Sequence, residues 1–464
     1  MQESWTVRRA ALLSVCCLFL AACPASQSEE ELATNNSAAT NGVTLSGVLP
    51  VVVALPPNPP DPVSVRPNFD DFSWQSFVAL NWPVDPAQRG APLNPANPAT
   101  LTSAGNSYAS VWGSYREAFE LYTGPVRPVP FDGPDGTPPV CGANAAGRRT
   151  LIMSSKVGTV LEDGDEAFSF PLVDQNNNYI FYEVRFNRDQ YDFVRGADNN
   201  PSSWLYRAVN LMAAEQQGPI SMPAGAPNPY VQGAVMVKAA WRQLTPAEDA
   251  SRYFTLPSVI YDTTVTPAAC RQVTMGLIGL HIGHKLAAFP QWVWSSFEQI
   301  DNVPLDNGQP PWPGHAMTLN NGTNNPQTQG GWANRPTSQQ MTAQRSPTQV
   351  TRLNPIPTTP AGQSTVDINN TWRAALAGTP WANYQLVITQ WPTNPSQFRI
   401  KEAGGTYPVW AGSPFPVNNA VNTTMETYFQ SGRDASGAGG NSCMQCHYGA
   451  GQSDFSWSLT LRAD

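Results

Sequence analysis

Three features of this 464-residue chain predict an α+β fold: a strand-rich body, short helices, and long connections rich in proline, asparagine and glycine. Aromatic and β-branched runs separated by turn clusters dominate from Thr150 to Thr264, which is strand composition. Helical periodicity is confined to a few short stretches. The 45 prolines and 35 glycines, interleaved with Asn and Thr, dictate extended irregular connections.

At the start, Arg8 and Arg9 precede an apolar run from Ala10 to Leu20, the layout of an export signal and too short to span a bilayer. Leu20-Ala21-Ala22-Cys23 resembles a bacterial lipobox, which implies cleavage after residue 22 and acylation of Cys23. Pro24 at the next position implies, by the same resemblance, sorting to the outer membrane, facing the periplasm or the cell surface. Residues 23–68, dominated by Ser, Asn, Thr, Ala and Pro, read as a tether. Residues 69–464 read as one globular body whose last segment, 419–464, binds a cofactor.

Within that body, Asp70 and Asp71 are placed to cap a helix carrying Trp74, Phe77, Val78 and Asn81 and stopped by Pro83. Trp112, Tyr115, Phe119 and Tyr122 recur at helical spacing over 108–122. Strands are expected at 150–154, 168–173 and 179–186, with Asp174-Gln175-Asn176-Asn177-Asn178 as a hairpin turn. Arg185 and Tyr179 stand where a calcium loop needs Glu and Gly, so that turn is not read as a cation site. A helix follows at 202–216, then strands at 234–241 and 253–261. Residues 305–369 lack apolar periodicity and read as a long loop system. A strand at 384–389 and a short helix at 422–430 complete the order.

The most specific chemical signal is Cys443-Met444-Gln445-Cys446-His447, a C-x-x-C-H run. Two thiols at this spacing can each add to a vinyl group of one porphyrin, and the adjacent imidazole can ligate the iron, so the implied cofactor is one covalent haem c. A zinc site would need a second pair of ligands at similar spacing. Export strengthens the reading, because haem is attached to such motifs outside the bacterial cytoplasmic membrane.

Cysteine usage then closes. Of seven cysteines, Cys16 and Cys17 leave with the signal, Cys23 is the lipidation site, and Cys443 and Cys446 serve the haem. Cys141 and Cys270, 129 positions apart, remain for a disulfide in an oxidising compartment.

Only Tyr448 to Asp464 follow the motif, without Met or His, so a sixth iron ligand of either type must come from upstream. Of four histidines, His281, His284 and His315 are then the candidates. His281 and His284 lie three apart on an expected strand and must face opposite sides. His281 is the preferred metal ligand beside His447, with Met275, Met425 and Lys285 in reserve.

Four stretches carry a family likeness: Trp74 to Pro83, Leu280-His281-Ile282 through Pro304 with Pro290-Gln291-Trp292-Val293-Trp294, Tyr384-Gln385-Leu386, and Cys443 to His447. On these the chain resembles an uncharacterised family of bacterial monohaem c-type cytochrome lipoproteins. The resemblance implies compartment and class without a reaction.

With charged residues at 13% and net charge −8, nothing in the composition supports nucleic-acid binding. Two functions follow as expectations. One is electron transfer between a redox partner protein, or a small-molecule donor or acceptor, and a haem anchored at the membrane through lipid. The other is a haem-dependent periplasmic oxidoreductase or peroxidase-like enzyme with an open distal site. A haem serving mainly as a structural staple in a binding lipoprotein is a third.

Overall fold

The computed structural model describes residues 43–57, 64–136, 140–142, 146–152, 170–196, 200–305, 316–322, 330–338, 341–392, 395, 414–415, 421–430 and 443–462. Helix α1 spans Arg66–Leu80, followed by α2 (Ala99–Thr102), strand β1 (Arg116–Glu117), α3 (Ala118–Leu121), β2 (Arg149–Ile152) and β3 (Phe181–Phe186). Next come α4 (Arg188–Arg195), α5 (Ala208–Gln217), β4 (Ala226–Pro227), β5 (Tyr230–Val231), β6 (Val235–Gln243), β7 (Thr255–Asp262), β8 (Ala269–Leu286) and β9 (Phe289–Gln299). The chain ends through β10 (Trp332–Ala333), β11 (Gln349–Val350), α6 (Thr365–Ala375), β12 (Tyr384–Pro392), β13 (Pro414–Phe415), α7 (Cys443–His447) and α8 (Trp457–Arg462).

Among the described residues a nine-stranded sheet runs β1-β3-β6-β8-β9-β12-β13, with β7 on β8 and β2 on β7. Among the described strands β2 and β7 alone pair in parallel. The 18-residue β8 is the spine. Residues 275 and 276 pair with both β6 and β7, and 279–284 with both β6 and β9, so β6 holds one edge while β7 and β9 share the other. The α+β class expected from the sequence is the observed one.

One sheet face is buried by α1 and α6. Trp74 and Phe77 of α1 pack on Phe297 of β9, and Leu280, Ile282 and Leu386 join the same core. Pro67 in the first turn starts α1 earlier than the sequence suggested, since proline has no N–H to lose there. Asp70 is therefore inside the helix and fully buried, not a cap. Its carboxylate accepts from Thr365 and Thr389 Oγ1, each at 2.7 Å.

Burial raises the Asp70 carboxyl from its ordinary 3.8 to about 6, against the lowering effect of those two hydroxyls. The native form therefore holds this proton more tightly than the unfolded chain. Its stabilising contribution is complete below about pH 3.8 and is lost as pH rises through about 6. Urea unfolding of Asp70→Asn should lack this part of the pH slope, the two profiles diverging by up to roughly 3 kcal/mol between pH 4 and 7. Parallel profiles for variant and wild type would sink the assignment.

Several expectations need correction. The stretch 43–57, assigned to the tether, packs on the body through Leu45, Leu49, Val51 and Val53. Its backbone is pinned by Gly47 N–H to Pro95 O at 2.8 Å and by Tyr230 Oη–H to Leu49 O at 2.9 Å. The helix expected over 108–122 is broken into a 3-10 turn at Trp112–Ser114, β1 and α3. Residues 116–117 are drawn into the sheet opposite Phe186 and Arg185. The Arg116 guanidinium is buried among the carbonyls of Pro130, Phe131 and Pro134, a tertiary demand that overrides local periodicity. Trp112, Tyr115 and Tyr122 of that stripe are buried nonetheless. The helix at 202–216 is a 3-10 turn followed by α5, and that at 422–430 is a buried turn with a 3-10 segment at Thr427–Phe429. In the long loop system, β10 pairs with β11, and α6 opens on a reciprocal cap between Ser364 and Asp367.

The pair Cys141–Cys270 is disulfide-bonded, which ties the loop before β2 to the far end of β8. No helix among the described residues is long and apolar enough to cross a membrane.

Candidate functional site

Residues paired in register across antiparallel strands stand on the same face. Three rows therefore cross the sheet face opposite α1. Met236, Gly283, Trp294 and Gln390 form one row across β6, β8, β9 and β12. Lys238, His281, Ser296 and Ile388 form the next. Ala240, Gly279 and Glu298 form the third.

The C-x-x-C-H helix docks on the first row. Met444 N–H donates to Gln390 Oε1 at 3.1 Å, and the Met444 side chain is fully buried in the main core. The His447 ring lies on Trp294, centroids 3.9 Å apart, and Ser458 of α8 donates to the Met236 sulfur at 3.8 Å. Gly283 gives Trp294 its space, since a Cβ there would stand 3.0 Å from the indole. Trp457 Nε1 donates to Cys446 O at 3.0 Å and closes the helix end.

Segment 421–430 covers the other two rows. Asn422 Nδ2 donates to Ser296 Oγ at 3.3 Å and to Phe297 O at 2.8 Å. Thr423 N–H donates to Glu298, which also pairs with Arg352. A Cβ at Gly279 would collide with Thr424 Oγ1 at 2.2 Å, so glycine is what lets this segment lie flat on β8.

Cys443 and Cys446 stand on one helical turn, neither in a disulfide and both half-buried. Burial pushes the Cys443 thiol up, with the Glu426 charge adding to it, so it is neutral at physiological pH. His447 Nδ1 lies 2.6 Å from the Phe455 carbonyl oxygen. A carbonyl only accepts, so Nδ1 carries the proton. Burial lowers the His447 pKa to about 4, which keeps the ring neutral and leaves a lone pair on Nε2.

That is the donor set a haem c requires: two thiols one turn apart and an adjacent imidazole with its tautomer fixed by a backbone acceptor. The residues fit the group.

His281 Nε2 lies 3.5 Å from Glu426 Oε2 and makes no well-aligned hydrogen bond among the described residues. Burial alone would raise the Glu426 carboxyl. The nearby His281 ring and the Lys238 charge, with the Asn422 N–H donating to Glu426 Oε2 at 2.9 Å, hold it below the usual carboxylate range.

His284 faces the other way, as strand alternation requires. It is fully buried beside Phe72, with Nε2 donating to Gln232 O at 2.7 Å, and burial lowers its pKa to about 4. It is a core histidine on the far face from the motif.

The reserve ligands are otherwise engaged. Lys285 Nζ is 2.6 Å from Asp454 Oδ2. Met275 lies roughly 20 Å along β8 from His281, taking about 3.3 Å per residue. Met425 is fully buried in a cluster with Ile278, Leu319 and Tyr428, and its methyl lies against Gly279. Cys23 and His315 lie outside the described residues. Among the described residues no group of three or more His, Cys, Asp or Glu forms a preformed metal cage.

Sequence reasoning did not nominate Trp294, Glu426, Asp454 or the Phe455 carbonyl. Trp294 was within a singled-out stretch, but only strand register reveals that it stands under His447. No family model, curated protein or solved structure compared with the chain matches it.

Proposed function

We propose that the chain is a c-type cytochrome, with one haem attached through Cys443 and Cys446 and held axially by His447. More particularly, it is a monohaem electron carrier of the bacterial envelope, anchored by lipid at Cys23 and exchanging single electrons with a redox partner. The observation that carries the reading is the His447 Nδ1 contact with Phe455 O, which leaves Nε2 as the only free coordinating atom of a neutral ring. A haem at this site supplies reversible one-electron iron chemistry.

The chain's own residues do the rest. Trp294 restrains the His447 ring against rotation, and Gln390 fixes the helix that carries both thiols. His281 is the sixth-ligand candidate, because its Nε2 is buried without a well-aligned hydrogen bond, one row from the motif and on the same face.

A second reading is favoured by Glu426 and Lys238 beside His281. A carboxylate in contact with an imidazole can move a proton at Nε2, which is what an enzyme with an open iron position would use. Absorption spectra of the pure protein, oxidised and reduced, separate the two. A low-spin six-coordinate wild type that becomes high-spin on His281→Ala supports His281 ligation and electron transfer. An unchanged low-spin spectrum removes His281 as ligand. A wild type that is already five-coordinate and binds added cyanide or peroxide transfers the case to the enzyme reading.

A further inference from the structure

The carbonyl that orients His447 belongs to an unusual turn. Asp454 and Phe455 both have positive φ, +53° and +64°, a left-handed conformation that costs a non-glycine residue free energy and persists only when its surroundings impose it. The surroundings are a buried ion pair. Asp454 Oδ2 accepts from Lys285 Nζ and from Met222 N–H, each at 2.6 Å, and Lys285 also donates to Ser221 Oγ at 3.1 Å. Both partners are almost completely buried, the side chains 3% and 4% exposed. Phe455 is sunk in the main core, with its N–H bonded to Ala450 O at 3.0 Å.

Lys285 lies two residues beyond Gly283, whose row partner Trp294 lies against His447. Strand β8 thus reaches the ligand by two routes: through the indole to the ring face, and through Lys285, Asp454 and Phe455 O to Nδ1.

We infer that Lys285 and Asp454 are positioning residues, an internal ion pair that holds the left-handed turn so that Phe455 O keeps His447 in its Nδ1–H tautomer. The inference rests on the haem reading only for its purpose, since tautomer and tilt matter because Nε2 is the iron ligand. The pair's hydrogen bonds go to Met222 and Ser221 and to each other, while the ring is held by Phe455 O. An isolated buried pair is weak evidence for stability, and a role in geometry is a better account of one placed behind a strained turn.

The test reads the tautomer directly. With four histidines in the chain, nitrogen NMR of the full apo-protein is assignable for His447 by comparison with His447→Gln. Wild type should show protonated Nδ1 and unprotonated Nε2. Lys285→Met leaves a carboxylate unpaired and should lose that pattern for the Nε2–H form. If Lys285→Met does not fold, Lys285→Met with Asp454→Ala removes both charges and should show the same loss. Lys285→Met with Asp454→Asn should restore the wild-type pattern, because Asn tolerates the left-handed region and still accepts from Met222 N–H.

In haem-loaded protein Lys285→Met, alone or with Asp454→Ala, should shift the iron–histidine stretching frequency downward and the midpoint potential upward, as the donated hydrogen bond weakens, and Lys285→Met with Asp454→Asn should not. Retention of the Nδ1–H pattern in the double Met/Ala variant would overturn the inference. A chain that never takes up haem, yet loses the pattern in Lys285→Met, would sink the cytochrome reading and leave the role of the pair intact.

Discussion

A chain carrying Cys443→Ala and Cys446→Ala is expected to be exported without any covalently bound haem. On the proposed haem reading each thiol would form one thioether, so removing both would leave only an axial bond from His447, which would not survive denaturation. The fold should be nearly indifferent to the change. The anchoring group of the motif helix is Met444, fully buried, and its N–H is held by Gln390, whereas both cysteines are only half-buried. Denaturing electrophoresis with a haem stain and intact mass should show complete loss in the double variant and reduced attachment in each single one. The near-UV circular dichroism of the apo-protein should be unchanged. A double variant that still carries haem on a denaturing gel would remove the covalent assignment altogether.

Replacing Cys141 and Cys270 by serine is expected to cost about 5 kcal/mol of unfolding free energy, on the chain-entropy account for a loop of this length. The bond spans 129 residues. A loss of this size is a large fraction of the stability of an ordinary domain. The unfolding midpoint of wild type should fall on adding a reductant, and that of the variant should not. A difference below about 1 kcal/mol between oxidised and reduced wild type would show that the enclosed segment is held by other contacts. The parallel pair β2 and β7 is the element exposed to the change, because it joins the segment just after Cys141 to the strand beside Cys270.

Local chemistry was legible in the sequence where one short run carried it. The C-x-x-C-H motif, the strands expected at 234–241, 253–261 and 384–389, and the strand carrying His281 and His284 follow from residue type and alternation, and the last runs on to 269–286 in the structure. The opposite facing of His281 and His284 follows from the period of two alone. What was not legible depends on partners far along the chain. Arg116 leaves a helical pattern because the carbonyls of Pro130, Phe131, Gly133 and Pro134, 14 to 18 residues on, surround its guanidinium. Asp70 looks like a cap but is buried by the hydroxyls of Thr365 and Thr389. Glu426 and Asp454 carry no local signal. Their importance comes from His281 and Lys285, beside which the 421–430 segment and the C-terminal turn dock on the sheet. Composition misjudged 43–57 because its alternating Leu and Val were outweighed by the prolines and polar residues around them.

The length of β8 has a consequence for the sorting of thiols. Cys270 stands near the outer end of the strand, opposite Tyr261, while the motif helix docks beside Gly283 at the other end. Thirteen residues of extended chain separate these points by roughly 40 Å. A disulfide needs its Cα atoms within about 7 Å. Once the sheet has formed, neither Cys443 nor Cys446 can exchange with Cys141 or Cys270. On the proposed reading, four sulfurs entering one oxidising compartment would thereby be divided into two isolated couples, the spine of the sheet acting as the spacer that would keep structural bonding from consuming the attachment cysteines.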